Sequence, residues 1–208
     1  MRVGLFGGSF NPIHFGHLRG AEEVRETLEL DLIYFIPAAA PPHKPDAVLA
    51  PAAHRLQMVE LAAKGNRHFL VSDVEVRRGG RSFTIDTVRH FIATMRGRPD
   101  LYLLMGNDQF NELDTWKSCD ELVSLCNIAV HTRGAVHEKP ALAALSRFGY
   151  VQKEAHFEHP SGYTLSFIPT TFLPISATWI REILQRRRSI HYLVPADVAE
   201  YIRRHNLY

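Results

Sequence analysis

Six short apolar runs punctuate the chain: RVGLF (2–6), LIYFI (32–36), FLVSDV (69–74), LYLLM (101–105), NIAVH (127–131) and TLSFI (164–168). Several are apolar at consecutive positions instead of alternating. A strand of that kind must be covered on both faces, as in a parallel sheet held between two layers of helices. Helical periodicity fills the intervals. Leu18, Ala21, Val24 and Leu28 recur at helical spacing after the first run, Leu56, Val59 and Ala63 before the third, and Ile85, Val88, Ile92 and Met95 before the fourth. Strands and helices in alternation predict an α/β fold with an open, doubly wound parallel sheet, right-handed crossovers and helices on both faces. Ligands of such sheets bind beyond the carboxyl ends of the strands, where strand order reverses. Gly7, Gly106 and the segment from Ala38 to Lys44 each follow a strand, so they should share that edge.

From Pro174 onward the pattern is helical: ISATWIREILQRRR, a turn at HYLVP, then ADVAEYIRRHN, with Pro195 suited to a helix's first turn. The stretch 40–53 reads as a surface loop, and neither it nor the less regular 131–141 reads as a linker, because periodic segments resume directly after each. One domain over 1–208 is expected, with an α/β core in 1–173 and a C-terminal helical part in 174–208. A formal charge of +2 is too small for a nucleic-acid binder, and the Arg186-Arg187-Arg188 run reads as a solvated helix end. Cys119 and Cys126 make neither a disulfide framework nor a closed zinc site, so reduced thiols in a cytoplasmic protein are expected. No signal peptide is evident, and no apolar segment approaches the roughly 20 residues that span a bilayer, so no membrane partner is expected.

The first run leads into GGSFNPIHFGHL, residues 7–18. Glycines after a strand let backbone approach an anion with no Cβ in the way. A helix start beyond them offers N–H groups and a positive dipole end. His14 and His17, three apart, share one face of that first turn, and Gly16 keeps the surface between them low. Together these features point to a polyphosphate. The stretch is neither GxxxxGK[ST] nor GxGxxG. Zinc is the other reading of two such histidines, but it needs a third ligand, and none lies nearby in sequence. No protein metal site is therefore expected.

The pattern G-G-x-F-x-P-x-H-x-G-H, here Gly7, Gly8, Phe10, Pro12, His14, Gly16 and His17, resembles the first signature of the nucleotidyltransferase superfamily. ISATWIR (175–181) resembles its second signature, with Ala177 where serine is usual. PPHK (41–44), RSFTIDTV (81–88), MGNDQF (105–110), Thr115-Trp116 and the closing YLVPADVAEYI narrow the likeness to the bacterial nicotinate-nucleotide adenylyltransferases, over essentially the whole chain. The resemblance implies a Rossmann-like fold and adenylyl transfer from ATP to nicotinate mononucleotide, giving the dinucleotide and pyrophosphate. Mg²⁺ would arrive with ATP.

On that resemblance His14, His17, Lys44 and Arg181 carry the catalysis. The nucleophile is a phosphate monoester, mostly dianionic at neutral pH, so no protein base is required. The residues have to align two anions and stabilise developing charge. His14 and His17 would donate to the ATP phosphates, His17 near the α-phosphate, and Arg181 would fork onto the β- and γ-phosphates. Gly7, Gly8, Ser9, Phe10, Gly106, Ile175 and Ser176 complete the implied ATP site. Asp108 joins them as a ribose or adenylate contact, as a helix N-cap, or as both. Ser9, Lys44, Ser82, Phe83, Thr84, Trp116 and Arg133 make the implied mononucleotide site. There, amides at the start of the Ile85–Met95 helix receive the nicotinate carboxylate, Trp116 stacks on the ring and Arg133 lies near the phosphate. His137, Glu138, His156, Glu158 and His159 read as solvated loop. Rival readings are another acceptor, such as phosphopantetheine or nicotinamide mononucleotide, a synthetase fragment, and a non-catalytic nucleotide sensor. A homo-oligomer is compatible with all of them.

Overall fold

The computed structural model describes residues 1–42, 49–133 and 142–208. Strands β1 (Arg2–Gly8), β2 (Leu32–Pro37), β3 (Phe69–Val71), β4 (Asp100–Gly106), β5 (Asn127–Arg133), β6 (Val151–Gln152), β7 (Phe157–Glu158) and β8 (Thr164–Thr170) form one sheet in the order β3-β2-β1-β4-β5-β8-β7-β6. From β3 through β8 every pairing is parallel; β7 and β6 add an antiparallel edge. The chain builds outward from β1 in one direction through β2 and β3, then returns to its other side with β4. That reversal is the expected switch point, and it lies between β1 and β4.

Side chains alternate across the sheet. Val3 and Leu5 of β1 and Leu101, Leu103 and Met105 of β4 face one core. Phe6, Tyr102 and Leu104 face the other. Helices α3 (Val74–Arg78), α4 (Thr84–Thr94), α5 (Asn107–Asn111), α6 (Cys119–Leu122) and α7 (Leu142–Arg147) follow strands or loops around the first core. Helices α1 (Phe15–Thr27), α2 (Ala52–Ala63), α8 (Ala177–Gln185) and α9 (Ala196–Arg204) cover the second. The C-terminal segment thus packs as part of one helical layer with α1 and α2.

Three local expectations need correction. The run FLVSDV is strand only over its first three residues, since Val74 turns inward as the first residue of α3 and is buried there. Ile92, placed on the buried face of α4 by its spacing, is 45% exposed, and Phe91 carries that face instead. The stretch holding His156, Glu158 and His159 is partly ordered as a hairpin, with Val151 opposite Glu158 and Gln152 opposite Phe157. The hairpin was hard to see because its strands are two residues long. His137 and Glu138 lie outside the described residues. Among the described residues no helix is long and apolar enough to cross a membrane, and both cysteines are unpaired and buried.

Candidate active site

The glycines expected to follow the first strand are its last two residues, because pairing with β2 continues through Gly7 opposite Ile36 and Gly8 opposite Pro37. A Cβ on Gly7 would meet nothing within 4 Å, so the backbone there faces open space; one on Gly8 would strike the Phe10 ring at 2.9 Å. Phe10 sits at φ +43° and turns its ring inward, 2% exposed, against Phe6 and Phe35. The turn is bent so that an aromatic can plug the core beneath it. Phe10 therefore borders the site through its backbone, and its side chain is structural.

His14 caps α1 and is 4% exposed, while His17 stands at the third helical position. Their rings stack with centroids 3.7 Å apart. The His14 backbone N–H donates to His17 Nδ1 at 3.3 Å, so a neutral His17 carries its proton on Nε2. Edges of Phe6 and Phe10 at 6.3 and 5.2 Å hold the imidazole in orientation. A Cβ on Gly16 would lie 3.0 Å from His14 Nδ1 and 3.6 Å from the Ile175 carbonyl oxygen. Here the first glycine-histidine turn meets the later Ile175–Arg181 segment.

One further contact crosses that meeting, and two others order the later segment itself. The Ser176 Oγ accepts from the Trp179 N–H at 3.1 Å, capping α8. This is the hydroxyl expected at the phosphate, and the helix engages it only as an acceptor. Arg181 lies just over a turn later. Its Nη1 donates to the Asn11 carbonyl at 2.8 Å, and its Nη2 donates to Thr178 Oγ1 at 3.2 Å. A concavity between the two segments is lined by His14, Gly16 and His17 on one side and by Thr170, Thr171, Leu173 and Ile175 on the other, with His131 at its floor. Its position beyond the carboxyl ends of β1, β5 and β8 is where the sheet predicts a ligand.

Gly106 ends β4 and caps α5, with its N–H donating to Gln109 Oε1 at 3.0 Å. The register of Phe6 with Leu104 puts Gly106 at the same edge as Gly8. Asp108 is not the N-cap, because the helix begins two residues sooner, capped by Gly106; Asp108 is exposed in the first turn of α5, where the helix dipole favours a carboxylate. Beyond β2, the Ser82 Oγ accepts from the Ala39 N–H at 2.9 Å, and the Ser82 N–H donates to the Ala40 carbonyl at 2.9 Å. Phe83 then caps α4 and Thr84 is its first residue, which sets the first-turn amides of α4 beside the end of β2. Lys117 bonds Asp86 at 3.0 Å and lies 4.5 Å over the Phe83 ring, so the half-buried Trp116 is held beside that helix start. Lys44 lies outside the described residues, and so does the side chain of Arg133, whose backbone ends β5 opposite Thr170. Among the described residues, the predicted ones thus lie in two groups along one sheet edge.

Three participants escaped the sequence reading. His131, read only as part of a strand, contributes a third imidazole. Gly20 and Gly106 leave room for its ring, since a Cβ on either would lie 3.9 or 3.7 Å from it. Asn11, 2% exposed, uses its Oδ1 to accept from the Ala50 N–H and the Tyr208 O–H at 3.0 and 2.7 Å. Arg55 is buried under the same edge. No signal of composition or spacing marks them; an arginine in an amphipathic helix ordinarily reads as solvent-facing. A wider, open groove of about 470 Å³ between α3 and α4 is lined by Val74, Arg77, Arg78, Asp86 and His90 and contains none of the predicted site residues. Among the described residues no group of three or more His, Cys, Asp or Glu could hold a metal ion.

Known proteins resemble this chain over its whole length. A family model described as cytidylyltransferase-like matches residues 5–183, a span that includes both converging segments. A protein of Geobacter sp. (strain M21) named "Probable nicotinate-nucleotide adenylyltransferase" is 43% identical over 215 residues, covering 100% of this chain and 98% of its own. Relatives of the same name from Geobacter metallireducens and Geotalea uraniireducens are 43% and 40% identical, also over 100% of this chain and 98% of theirs. Among solved structures, the Plasmodium falciparum nicotinic acid mononucleotide adenylyltransferase complexed with NaAD shares the fold, with a TM-score of 0.77 at 19% identity over 100% of this chain and 97% of that one. By these relatives and by the family match, the chain belongs to the nicotinate-nucleotide adenylyltransferases, within the cytidylyltransferase-like proteins.

Proposed function

We propose that the protein transfers the adenylyl group of ATP to nicotinate mononucleotide, releasing pyrophosphate and forming nicotinate adenine dinucleotide for NAD biosynthesis. The observation that carries this reading is the junction of the two segments: Gly16 against the Ile175 carbonyl, and Arg181 on Asn11. One triphosphate laid along that junction meets the turn after β1, the imidazoles and the start of α8 together.

The residues divide the work as their geometry allows. His17, with its proton on Nε2, donates to the α-phosphate as negative charge grows there. His14 and the Gly7–Ser9 backbone support the neighbouring phosphates. Arg181 is already oriented by Asn11 and reaches the outer phosphates by exchanging a neutral carbonyl partner for an anionic one, which is the stronger bond. Gly106, Asp108 and Ile175 border the nucleoside. The amides around Thr84 receive the nicotinate carboxylate, Trp116 covers the ring, and Ser82, Phe83, Lys44 and Arg133 complete the acceptor's side. Mg²⁺ carried on the ATP phosphates would supply positive charge to the departing pyrophosphate, a mode that calls for few protein ligands. The mononucleotide phosphate attacks in line, unassisted by a base. The whole chain acts as one nucleotidyltransferase domain, with 174–208 completing the ATP side of a site built on 1–173. Two buried thiols suit the reducing cytoplasm.

The test is pyrophosphate release by the purified protein with ATP, Mg²⁺ and nicotinate mononucleotide, alongside nicotinamide mononucleotide as acceptor. Release far faster with the acid is expected. Equal rates would remove the acid preference, and no release with any acceptor would support a nucleotide sensor instead.

A further inference from the structure

Arg55, in the first turn of α2, is 1% exposed and heads the fully buried side chains when these are ranked by volume. Its guanidinium donates to three backbone carbonyls: Nε to Ala50 at 2.9 Å, Nη1 to Ser9 at 2.8 Å and Nη2 to Ala39 at 2.8 Å. Among the described residues it forms no ion pair, and burial lowers its pKa while Glu75 and Tyr208 favour its charge. A cation buried among neutral oxygens is costly unless every donor is used. Here the donors join backbone segments far apart in sequence. Ser9 belongs to the phosphate-facing turn after β1. Ala39 leaves β2, and its own N–H is held by Ser82, next to the start of α4.

We propose that Arg55 is a positioning residue for adenylyl transfer, setting the distance between the turn that holds the ATP phosphates and the Ala39–Ser82 contact, beside the helix start that receives the acceptor's acid group. The inference rests on the adenylyl-transfer reading above. Arg55 itself touches neither substrate. A planar fork is required because the three carbonyls are met by three different nitrogens, Nε, Nη1 and Nη2; the single nitrogen of an ammonium cannot stand in all three places. Alignment of two anions is the main catalytic task, and a shift of about 1 Å between reacting groups is enough to lower turnover by about a hundredfold.

The experiment compares Arg55→Lys with the wild type below the variant's melting temperature, per folded molecule. The expected result is a fall in kcat of about a hundredfold with much smaller changes in KM for either substrate. Ser82→Ala, added to the Arg55→Lys background, should cost less than it does in the wild type, because both changes break one chain of contacts. Retained kcat in folded Arg55→Lys protein, or fully additive effects, would overturn the proposal. A second measurement needs no substitution. The guanidinium ¹⁵N resonances of wild-type Arg55 should shift when a non-hydrolysable ATP analogue binds, and shift again when nicotinate mononucleotide joins it. Unmoved Arg55 signals, while other resonances report binding of both, would also overturn it. A wild type that binds the ATP analogue but never the mononucleotide would refute the adenylyl-transfer reading instead, and the first shift would still judge the link to the phosphate turn.

Discussion

His17 shows how a residue acquires chemistry from its neighbours. Its Nδ1 is engaged by the His14 amide, its ring is edged by two phenylalanines, and its remaining nitrogen is thereby made a donor. Replacing it with alanine removes one preoriented donor from the developing charge. Turnover of His17→Ala should fall by a factor on the order of 10² to 10³, with the thermal midpoint close to that of the wild type, read by pyrophosphate release and by calorimetry. A large loss of stability with activity per folded molecule retained would make His17 a packing residue. At this scale the motifs singled out His14, His17, Arg181 and Ser82, and the structure sets all four along one sheet edge. The sequence was illegible where a side chain acts across the fold. Nothing local distinguishes Arg55 from a surface arginine, or His131 from a strand histidine, until β1, β2 and β5 are placed side by side. Phe10 lies inside the motif, yet its ring fills the core and only its backbone borders the site.

At the scale of elements, helix α1 and the end of β8 are tied by one carboxylate. Glu23 accepts from the Thr171 N–H, from the Thr171 hydroxyl and from Arg19, and Thr171 lines the site. Burial pushes the Glu23 carboxyl up, but those bonds outweigh it and hold the carboxyl below its usual range. A carboxyl so lowered contributes stability above its unfolded pKa, about 4.3, and loses that contribution as pH falls through the lower folded value. Glu23→Gln should therefore melt below the wild type at pH 7, and the gap should narrow as the pH falls below about 4.3 and through the lower folded value. Melting curves across that range check it, and a gap independent of pH would mean that the carboxylate's charge adds nothing. Long elements were the legible ones, because periodicity had room to show in α1, α2 and the parallel strands. The β6–β7 hairpin and the early end of β3 were not, since two- and three-residue strands carry no period and tertiary pairing alone defines them.

For the molecule as a whole, topology does the assembling. Residues 7–18 and 173–181 are separated by most of the chain, and the doubly wound sheet returns the second to the first through β8 and its exit. Motif content pointed to one ligand for both, but only the packing of Gly16 on Ile175 and the Arg181–Asn11 bond bring them into contact. The shared triphosphate is most directly tested by amide hydrogen exchange with and without a non-hydrolysable ATP analogue and Mg²⁺. Both segments should become protected together, over the same range of analogue concentration. Protection of one segment while the other exchanges as in the free protein would contradict a single triphosphate held between them.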